Sequence, residues 1–240
     1  MHEFEVREEI PLDATPEQVW EAIATGPGVD SWFMGRNELD PERTAMTVGA
    51  HTTRATVTAW EPAKRLAYRT DANPDGTFMA FEYMIEGRGG GTTVLRLVHS
   101  GFLGDDWRDQ YDALSVGDGV YLRKLAAYLK YFPGRIARFN MQLAGPVVED
   151  EQFAWEAFKA AAGISGPAEL GSRGTLYGGG PGVVEWLHAP TFLGFRTDDG
   201  LFMFIHGWTR NLVVQYHCFS AEVDQAKTEL TWQNWLDEFR

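Results

Sequence analysis

The chain has 240 residues, of which 44% are hydrophobic and 23% charged, a composition typical of a globular protein rather than a disordered one. Its formal net charge of −13 opposes binding to nucleic-acid phosphates or anionic lipids, because like charges would be brought together. The single cysteine, Cys218, excludes an intrachain disulfide, and the charged stretch MHEFEVREEI is neither a signal peptide nor a membrane span. We therefore predict a cytoplasmic globular protein with no nucleic-acid partner and no membrane insertion.

The first predicted elements are a strand and two short helices. Residues 4–10 follow an imperfect period-two pattern, with Glu8 on the otherwise apolar side. The polar residues 13–15 are suited to capping a helix that begins at Pro16, where proline is favoured. A second short helix or turn is predicted near residues 29–32.

An antiparallel meander is predicted next. Residues 38–48 are polar and turn-like, and four alternating strands then follow from Thr53 onward: RATVTAW, LAYRT, FMAFEYMIEG and TTVLRLVHSG. Pro62, the loop DANPDGT and a tight hairpin at residues 88–91 separate these strands. A curled antiparallel sheet is the expected result.

A long amphipathic helix closes the first half of the chain. Apolar residues recur at three- and four-residue steps from Tyr121 to Phe132, which indicates a helix with one buried stripe. Pro133 and Gly134 end it. The order of the elements predicts an α+β fold in which this helix covers the concave face of the curved sheet.

Three segments of this half resemble the SRPBCC superfamily of START-like, helix-grip proteins, and specifically its heat-shock-ATPase-activator-homologue branch. They are WEPAKRLAYRT, TTVLRLVHSGF and DDWRDQYDALSVGDGVYLRKLAAYL, and the resemblance covers roughly residues 1–132. It implies a helix-grip fold, which often leaves a cavity between the sheet and the last helix.

The second half of the sequence repeats the first. Segment 55–71 aligns without a gap on segment 182–198, and three further pairs of segments resemble each other in the same order. His99 and His217 also fall at corresponding points before the last helix, although the alternation of strand faces around them agrees poorly. Agreement of four segments in one order indicates an internal repeat.

This repeat predicts two tandem START-like units, each a curved antiparallel sheet packed on a C-terminal helix. The first unit spans residues 1–134, and the second, spanning residues 135–240, is shortened. We expect the second unit to be too small to bury all of its apolar surface alone. It would cover the remainder against the first unit or against a second copy in a homodimer.

Several familiar chemical sites find little support in the sequence. The glycine-rich segment 171–182 lacks the Lys-Ser/Thr of a phosphate-binding loop. Cys218 and His217 are adjacent in a predicted strand, so their side chains would diverge. His188, His206 and His217 lack paired ligand spacing, and we interpret them as core or rim residues. We predict no metal, no cofactor and no assigned catalytic residue.

The predicted binding site is the space between the sheet and the long helix of the first unit. An apolar wall with several hydroxyl groups and one imidazole would suit a hydrophobic or aromatic small molecule. A filled core is the alternative, since aromatic residues also pack cores, although Gly117 and Gly119 in the helix favour a cavity or a bend. The predicted lining consists of Trp32, Phe33, Tyr68, Phe81, Tyr83, His99, Trp107, Tyr111 and Tyr121.

Three functions are compatible with this site. The first is non-catalytic binding or carriage of a hydrophobic small molecule, as the resemblance implies. The second is an enzyme similar to the superfamily's polyketide cyclases, in which His99 or a tyrosine would serve as general acid or base. The third is an interaction module similar to the branch's chaperone-ATPase activators. We predict the first, which leaves catalysis unassigned.

Overall fold

The computed structural model describes residues 1–240, which form two compact units, residues 1–136 and residues 137–240. Each unit combines one antiparallel sheet with α-helices, so the chain has an α+β fold. No helix has both the length and the apolar character needed to cross a membrane.

The first unit contains a seven-stranded antiparallel sheet with strand order β1-β7-β6-β5-β4-β3-β2. The long helix α3 follows the last strand and packs against β1 and β7. The elements are β1 (His2–Leu12), α1 (Pro16–Ala24), α2 (Gly26–Val29), β2 (Arg36–Leu39), β3 (Arg43–Val48), β4 (His51–Glu61), β5 (Arg65–Thr70), β6 (Phe78–Arg88), β7 (Thr92–Leu103) and α3 (Trp107–Tyr131).

The N-terminal part of this unit follows local sequence signals closely. The Thr15 side chain accepts a hydrogen bond from the Gln18 backbone, and the Gln18 side chain accepts one from the Thr15 backbone, which forms a capping box. Pro16 is the first helical residue, as predicted. The second short helix lies a few residues earlier than predicted, at Gly26–Val29.

One expectation about the first unit needs correction. Segment 38–48, predicted to be turn-like, lies mostly in the hairpin of β2 and β3 at the sheet edge. Its strand signal is weak because the residues of β3 after Arg43 are all half-buried, so neither face of the strand is distinctly apolar. Helix α3 begins at Trp107, so Gly117 and Gly119 lie within it, as expected.

The second unit contains a six-stranded antiparallel sheet with strand order β8-β13-β12-β11-β10-β9. Strand β8 is the first strand of this unit and pairs with its last strand, β13. The elements are β8 (Phe139–Val147), α4 (Glu151–Ala161), β9 (Arg173–Thr175), β10 (Pro181–His188), β11 (Phe192–Thr197), β12 (Gly200–His206), β13 (Asn211–Cys218) and α5 (Gln225–Asp237).

The two sheets share one strand order, except that the second has one strand fewer. In both sheets the first strand pairs with the last, and the remaining strands follow in reverse order along the chain. The repeat also holds in register: Val57 pairs with Tyr68 as Val184 pairs with Phe195, and a β-bulge follows each pair at the same point. The gapless alignment of segments 55–71 and 182–198 thus describes matching strand pairs.

Candidate functional site

Two rows of paired strand positions run across the concave face of the first sheet. The inward direction is set by alternation along β7, where Leu95, Leu97 and His99 are buried and their neighbours are half-buried. Cross-strand pairing carries this face to the other strands. One row contains Val57, Tyr68, Phe81, His99 and Val6, and the next contains Leu66, Tyr83, Leu97 and Glu8.

His99 is the central polar residue of this face. Its side chain is buried, with 1% of the residue exposed, and its Nδ1 atom lies 2.9 Å from Oδ2 of Asp118 on α3. The Phe81 ring stacks on the imidazole at a centroid distance of 4.1 Å, and the Phe4 ring meets it edge-on at 5.1 Å. The second ring nitrogen, Nε2, has no hydrogen-bond partner. His99 is therefore oriented by a carboxylate and enclosed by aromatic rings.

Glu8 brings a second carboxylate close to this pair. A Cβ atom at Gly119 would lie 3.3 Å from Oε1 of Glu8, so the glycine lets the helix approach this carboxylate closely. Partial burial, followed by the charge of Asp118, raises the pKa of Glu8, and the nearby Arg123 opposes this effect. Glu8 thus lies near Asp118, the carboxylate that contacts His99.

Tyr68 and Tyr83 form the second polar pair of the site. Their hydroxyl groups are hydrogen-bonded to each other, and their rings lie 6.3 Å apart. Burial raises the pKa of Tyr68 to about 12 and that of Tyr83 well above its ordinary value, with a smaller contribution from the charge of Asp118. Both phenols are neutral at neutral pH and can donate or accept hydrogen bonds.

The rest of the predicted lining lies in two other places. Phe33 meets the Tyr121 ring at 4.7 Å and also contacts Trp32, whose Nε1 donates a hydrogen bond to the carbonyl of Ala22 at 2.9 Å. Trp32 is thus fixed by α1 as part of the framework. Trp107 and Tyr111, in contrast, pack at the start of α3 against a small cluster formed by Phe4, Val6 and Leu103.

Two polar residues of the site were missed by the sequence analysis, and both left a signal. Glu8 is the one acidic residue on the apolar side of the first predicted strand. Asp118 stands between Gly117 and Gly119, two helical turns from Tyr111, and so on the same helix face. A carboxylate on an otherwise apolar face marks a functional or paired position.

Lys124 is a further buried ionisable group on α3. It is fully buried, and its Nζ atom lies 5.8 Å from the centroid of the Tyr121 ring. Burial lowers the pKa of Lys124 well below its ordinary value, which favours the neutral amine. It lies one helical turn after Tyr121, the residue that contacts Phe33, whereas Asp118, which contacts His99, lies earlier on the helix.

The same two rows in the second unit carry different side chains. The rows read Val184, Phe195, Phe202, Tyr216 and Met141, then Leu193, Phe204, Val214 and Leu143. The strand register therefore matches His99 with Tyr216 and not with His217. Trp232 of α5 packs at 5.5 Å from both the Phe202 and Phe204 rings, so the space under this helix is filled.

The second unit's other candidate side chains are placed as structural residues. Cys218 is fully buried in the aromatic core cluster. His206 places Nε2 2.8 Å from the carbonyl oxygen of Val148, and His188 is exposed at the end of β10. No group of three or more His, Cys, Asp or Glu side chains is arranged so that it could hold a metal ion.

In the first unit an antiparallel sheet is followed by a long helix that contacts β1 and β7. The family model of Activator of Hsp90 ATPase homolog 1-like proteins matches residues 13–130, which lie within the first unit. The resemblance of the first unit to this branch of the SRPBCC superfamily, predicted from the sequence, is confirmed.

Several solved structures are similar to the chain. Protein MLL2253 from Mesorhizobium loti is 24% identical, with 54% of this chain and 98% of that chain covered and a TM-score of 0.48. The Aha1 dimer from Colwellia psychrerythraea is 19% identical over 55% and 98%, with a TM-score of 0.46. The di-domain ARO/CYC BexL from the BE-7585A biosynthetic pathway is 14% identical over 99% and 94%, with a TM-score of 0.49. No curated protein matched the chain.

Proposed function

We propose that the first unit binds a hydrophobic or aromatic small molecule between the concave face of its sheet and α3. One observation carries this proposal. Val57, Tyr68 and Phe81 keep part of their surface accessible on the concave face, whereas their matched residues in the second unit are almost fully buried. Incomplete packing at these positions, under a helix with glycines at 117 and 119, supports a space that a ligand would occupy.

The side chains around this space suit such a ligand. Aromatic rings supply apolar area, which gives affinity in proportion to the surface removed from water. The hydroxyl groups of Tyr68 and Tyr83 and the imidazole of His99 supply a few polar groups that would fix its orientation. This combination supports binding of an aromatic molecule over binding of a strongly polar one.

Fluorescence titration with Nile red, a neutral apolar dye, tests the proposal. We expect the native protein to bind the dye and Tyr83→Ala or Tyr121→Ala to weaken binding about tenfold, equivalent to 1.4 kcal/mol. Each substitution should weaken binding by more free energy than it removes from folding stability. Phe204→Leu, at the position matched with Tyr83, is the control and should leave dye binding unchanged.

The proposal fails if the native protein does not bind the dye, or if Phe204→Leu weakens binding as much as Tyr83→Ala. Equal losses of binding and stability at Tyr83 and Tyr121 would identify both as ordinary core residues. Native mass spectrometry of freshly purified protein gives an independent readout, because a retained small molecule adds its own mass.

Acid–base catalysis is the second candidate function, and the contact between His99 and Asp118 favours it. A carboxylate that orients an imidazole is a common arrangement for a general base. Tyr68 and Tyr83 are poor candidates for this role, because their raised pKa values keep them protonated at neutral pH. Turnover of a bound aromatic compound that depends on His99 would favour catalysis over simple binding.

Location and assembly are also proposals. We place the binder in the cytoplasm because its one cysteine, Cys218, is a buried free thiol, as expected in a reducing compartment. A homodimer is compatible with the exposed apolar side chains of the second unit, among them Phe153 and Leu230. Sedimentation analysis would test the homodimer.

A further inference from the structure

The unpartnered Nε2 atom of His99 is the least expected polar feature of the first unit. Buried polar atoms are nearly always hydrogen-bonded, and leaving one unsatisfied costs roughly 1–3 kcal/mol. His99 is 1% exposed, and Nε2 has no protein partner, although Nδ1 contacts Asp118. A histidine whose only role was to fill the core would be replaced at lower cost by an apolar ring, as unit 2 does along most of the matched row.

We infer that His99, held by Asp118, accepts a hydrogen bond from the hydroxyl group of a neutral hydroxyarene, a phenol or naphthol, bound beneath α3. The inference rests on the proposed function, because it names the ligand class for the same site. A ligand hydroxyl would replace the apolar groups that now enclose Nε2 and would satisfy the unpartnered nitrogen.

The contact with Asp118 fixes which atom of the imidazole accepts the hydrogen bond. An ionised carboxylate only accepts hydrogen bonds, so the 2.9 Å contact places the proton of the neutral imidazole on Nδ1. Nε2 then carries a lone pair and needs a donor. A hydroxyl group on an aromatic ring supplies that donor, whereas a methyl ether or a ketone does not.

The charges near His99 select against an anionic ligand. Asp118 contacts the imidazole, and Glu8 lies close enough for the charge of Asp118 to raise its pKa. The basic side chains nearby are Arg123, which is exposed, and Lys124, whose burial farther along α3 favours the neutral amine. A carboxylate or phosphate would meet two acidic side chains, so the ligand hydroxyl is expected on a neutral molecule.

The aromatic surroundings favour a ring as the body of the ligand. Phe81 stacks on His99 at 4.1 Å, and Tyr68 lies next to Phe81 with a centroid distance of 5.1 Å. Both rings are half-buried, so part of their surface remains available to a ligand. An aryl ring placed against them gains apolar contact and brings its hydroxyl toward His99.

Calorimetric titration with 2-naphthol and 2-methoxynaphthalene, two probes that differ in the hydroxyl proton, tests the inference. We expect the native protein to bind 2-naphthol about tenfold more tightly, as one good hydrogen bond provides. His99→Phe should remove this preference by weakening 2-naphthol binding, with the ether unaffected. Tyr216→Phe, at the matched position of the second unit, is the control and should keep the preference.

A spectroscopic measurement on the native protein avoids dependence on the folding of a variant. With ¹⁵N-labelled histidine, the Nε2 resonance of His99 should shift when 2-naphthol is added and stay in place with 2-methoxynaphthalene. Equal affinity for both probes, or a preference that survives His99→Phe, would overturn the inference and leave the proposed site intact. Failure of the native protein to bind either probe or Nile red would overturn the proposed function as well.

Discussion

One row of strand positions carries Val57, Tyr68, Phe81 and His99 in the first unit, and the same row carries Val184, Phe195, Phe202 and Tyr216 in the second. The next row differs in the same direction, with Tyr83 and Glu8 in the first unit where Phe204 and Leu143 stand in the second. One backbone register thus supports a polar-lined face in one unit and an apolar core in the other.

The helices that pack on the two sheets, α3 and α5, differ in the same way. In the first unit α3 presents Asp118 between two glycines, and the residues beneath it stay partly accessible. In the second unit α5 presents Trp232 and Trp235, whose rings pack on Phe202 and Phe204. Because tandem units with the same strand order differ so consistently, the difference supports the proposal that the first unit binds a ligand while the second has a filled core.

The largest change in stability is expected from removing one of two matched aromatic rings, Phe204 or Tyr83. Phe204→Ala should lower the free energy of unfolding by about 3–5 kcal/mol, because Phe204 is fully buried and its loss leaves a cavity. Tyr83→Ala should cost less, about 1 kcal/mol, since the space beneath α3 is already incompletely filled. Urea unfolding followed by tryptophan fluorescence measures both. A larger loss for Tyr83→Ala than for Phe204→Ala would show that the first unit is filled as tightly as the second.

A second test uses the strand pair beside the bulge. Ala59 pairs with Ala67 in the first unit, and Trp186 pairs with Gly194 at the matched place in the second. A Cβ atom at Gly194 would overlap the Trp186 ring, so the indole occupies the space that Ala67 fills in the first unit. Gly194→Ala should therefore destabilise the protein by about 1–3 kcal/mol through overpacking.

A double-mutant cycle completes this test. In a Trp186→Ala background, Gly194→Ala should be close to neutral, because the pair then matches Ala59 and Ala67 of the first unit. The comparison of unfolding free energies for the four proteins measures the coupling. If Gly194→Ala lowers the unfolding free energy equally in both backgrounds, the Trp186 indole and Gly194 are not complementary in shape. The two units would then share their strand register but not their packing at this pair.

The sequence predicts the strand pairs of both units well and the faces of their last strands poorly. Segments 55–71 and 182–198 align without a gap because the turn between their strands has the same length in both. The loops that follow differ: seven residues separate β5 from β6, and two separate β11 from β12. Because of this difference, aligning the similar segments LVHSGF and YHCFS by sequence pairs His99 with His217. The structural match of His99 is Tyr216, one residue earlier. A register shift of one residue moves every side chain of a strand to the opposite face of the sheet.

The candidate site shows the same limit for a different reason. Alternation along each strand shows which of its residues share one face of the sheet. Tyr68, Phe81, Tyr83 and His99 therefore come together as expected. Asp118 reaches His99 from α3, a contact that depends on how the helix is rotated over the sheet. The sequence pattern places the apolar stripe of that helix after Tyr121 and leaves the rotation of its first half undefined.

The smallest effect concerns Glu8, whose matched residue in the second unit is Leu143. The pKa of Glu8 is raised in the folded state by burial and by Asp118, so the folded protein favours the protonated form. The stability that protonated Glu8 contributes is complete below the unfolded pKa and is lost as the pH rises through the folded pKa. Glu8→Gln should therefore raise Tm slightly at pH 7, with a difference that disappears in acid.

Thermal unfolding of the native protein, Glu8→Gln and the control Glu3→Gln across the acidic to neutral pH range measures this difference. Glu3 is exposed near the start of the same strand, so its substitution should leave the pH profile unchanged. A lower Tm for Glu8→Gln at pH 7 would mean that the attraction of Glu8 to Arg123 outweighs burial and the charge of Asp118. The attraction between Glu8 and Arg123 would then stabilise the contact between β1 and α3, and the polar face of the first unit would need no ligand to explain Glu8.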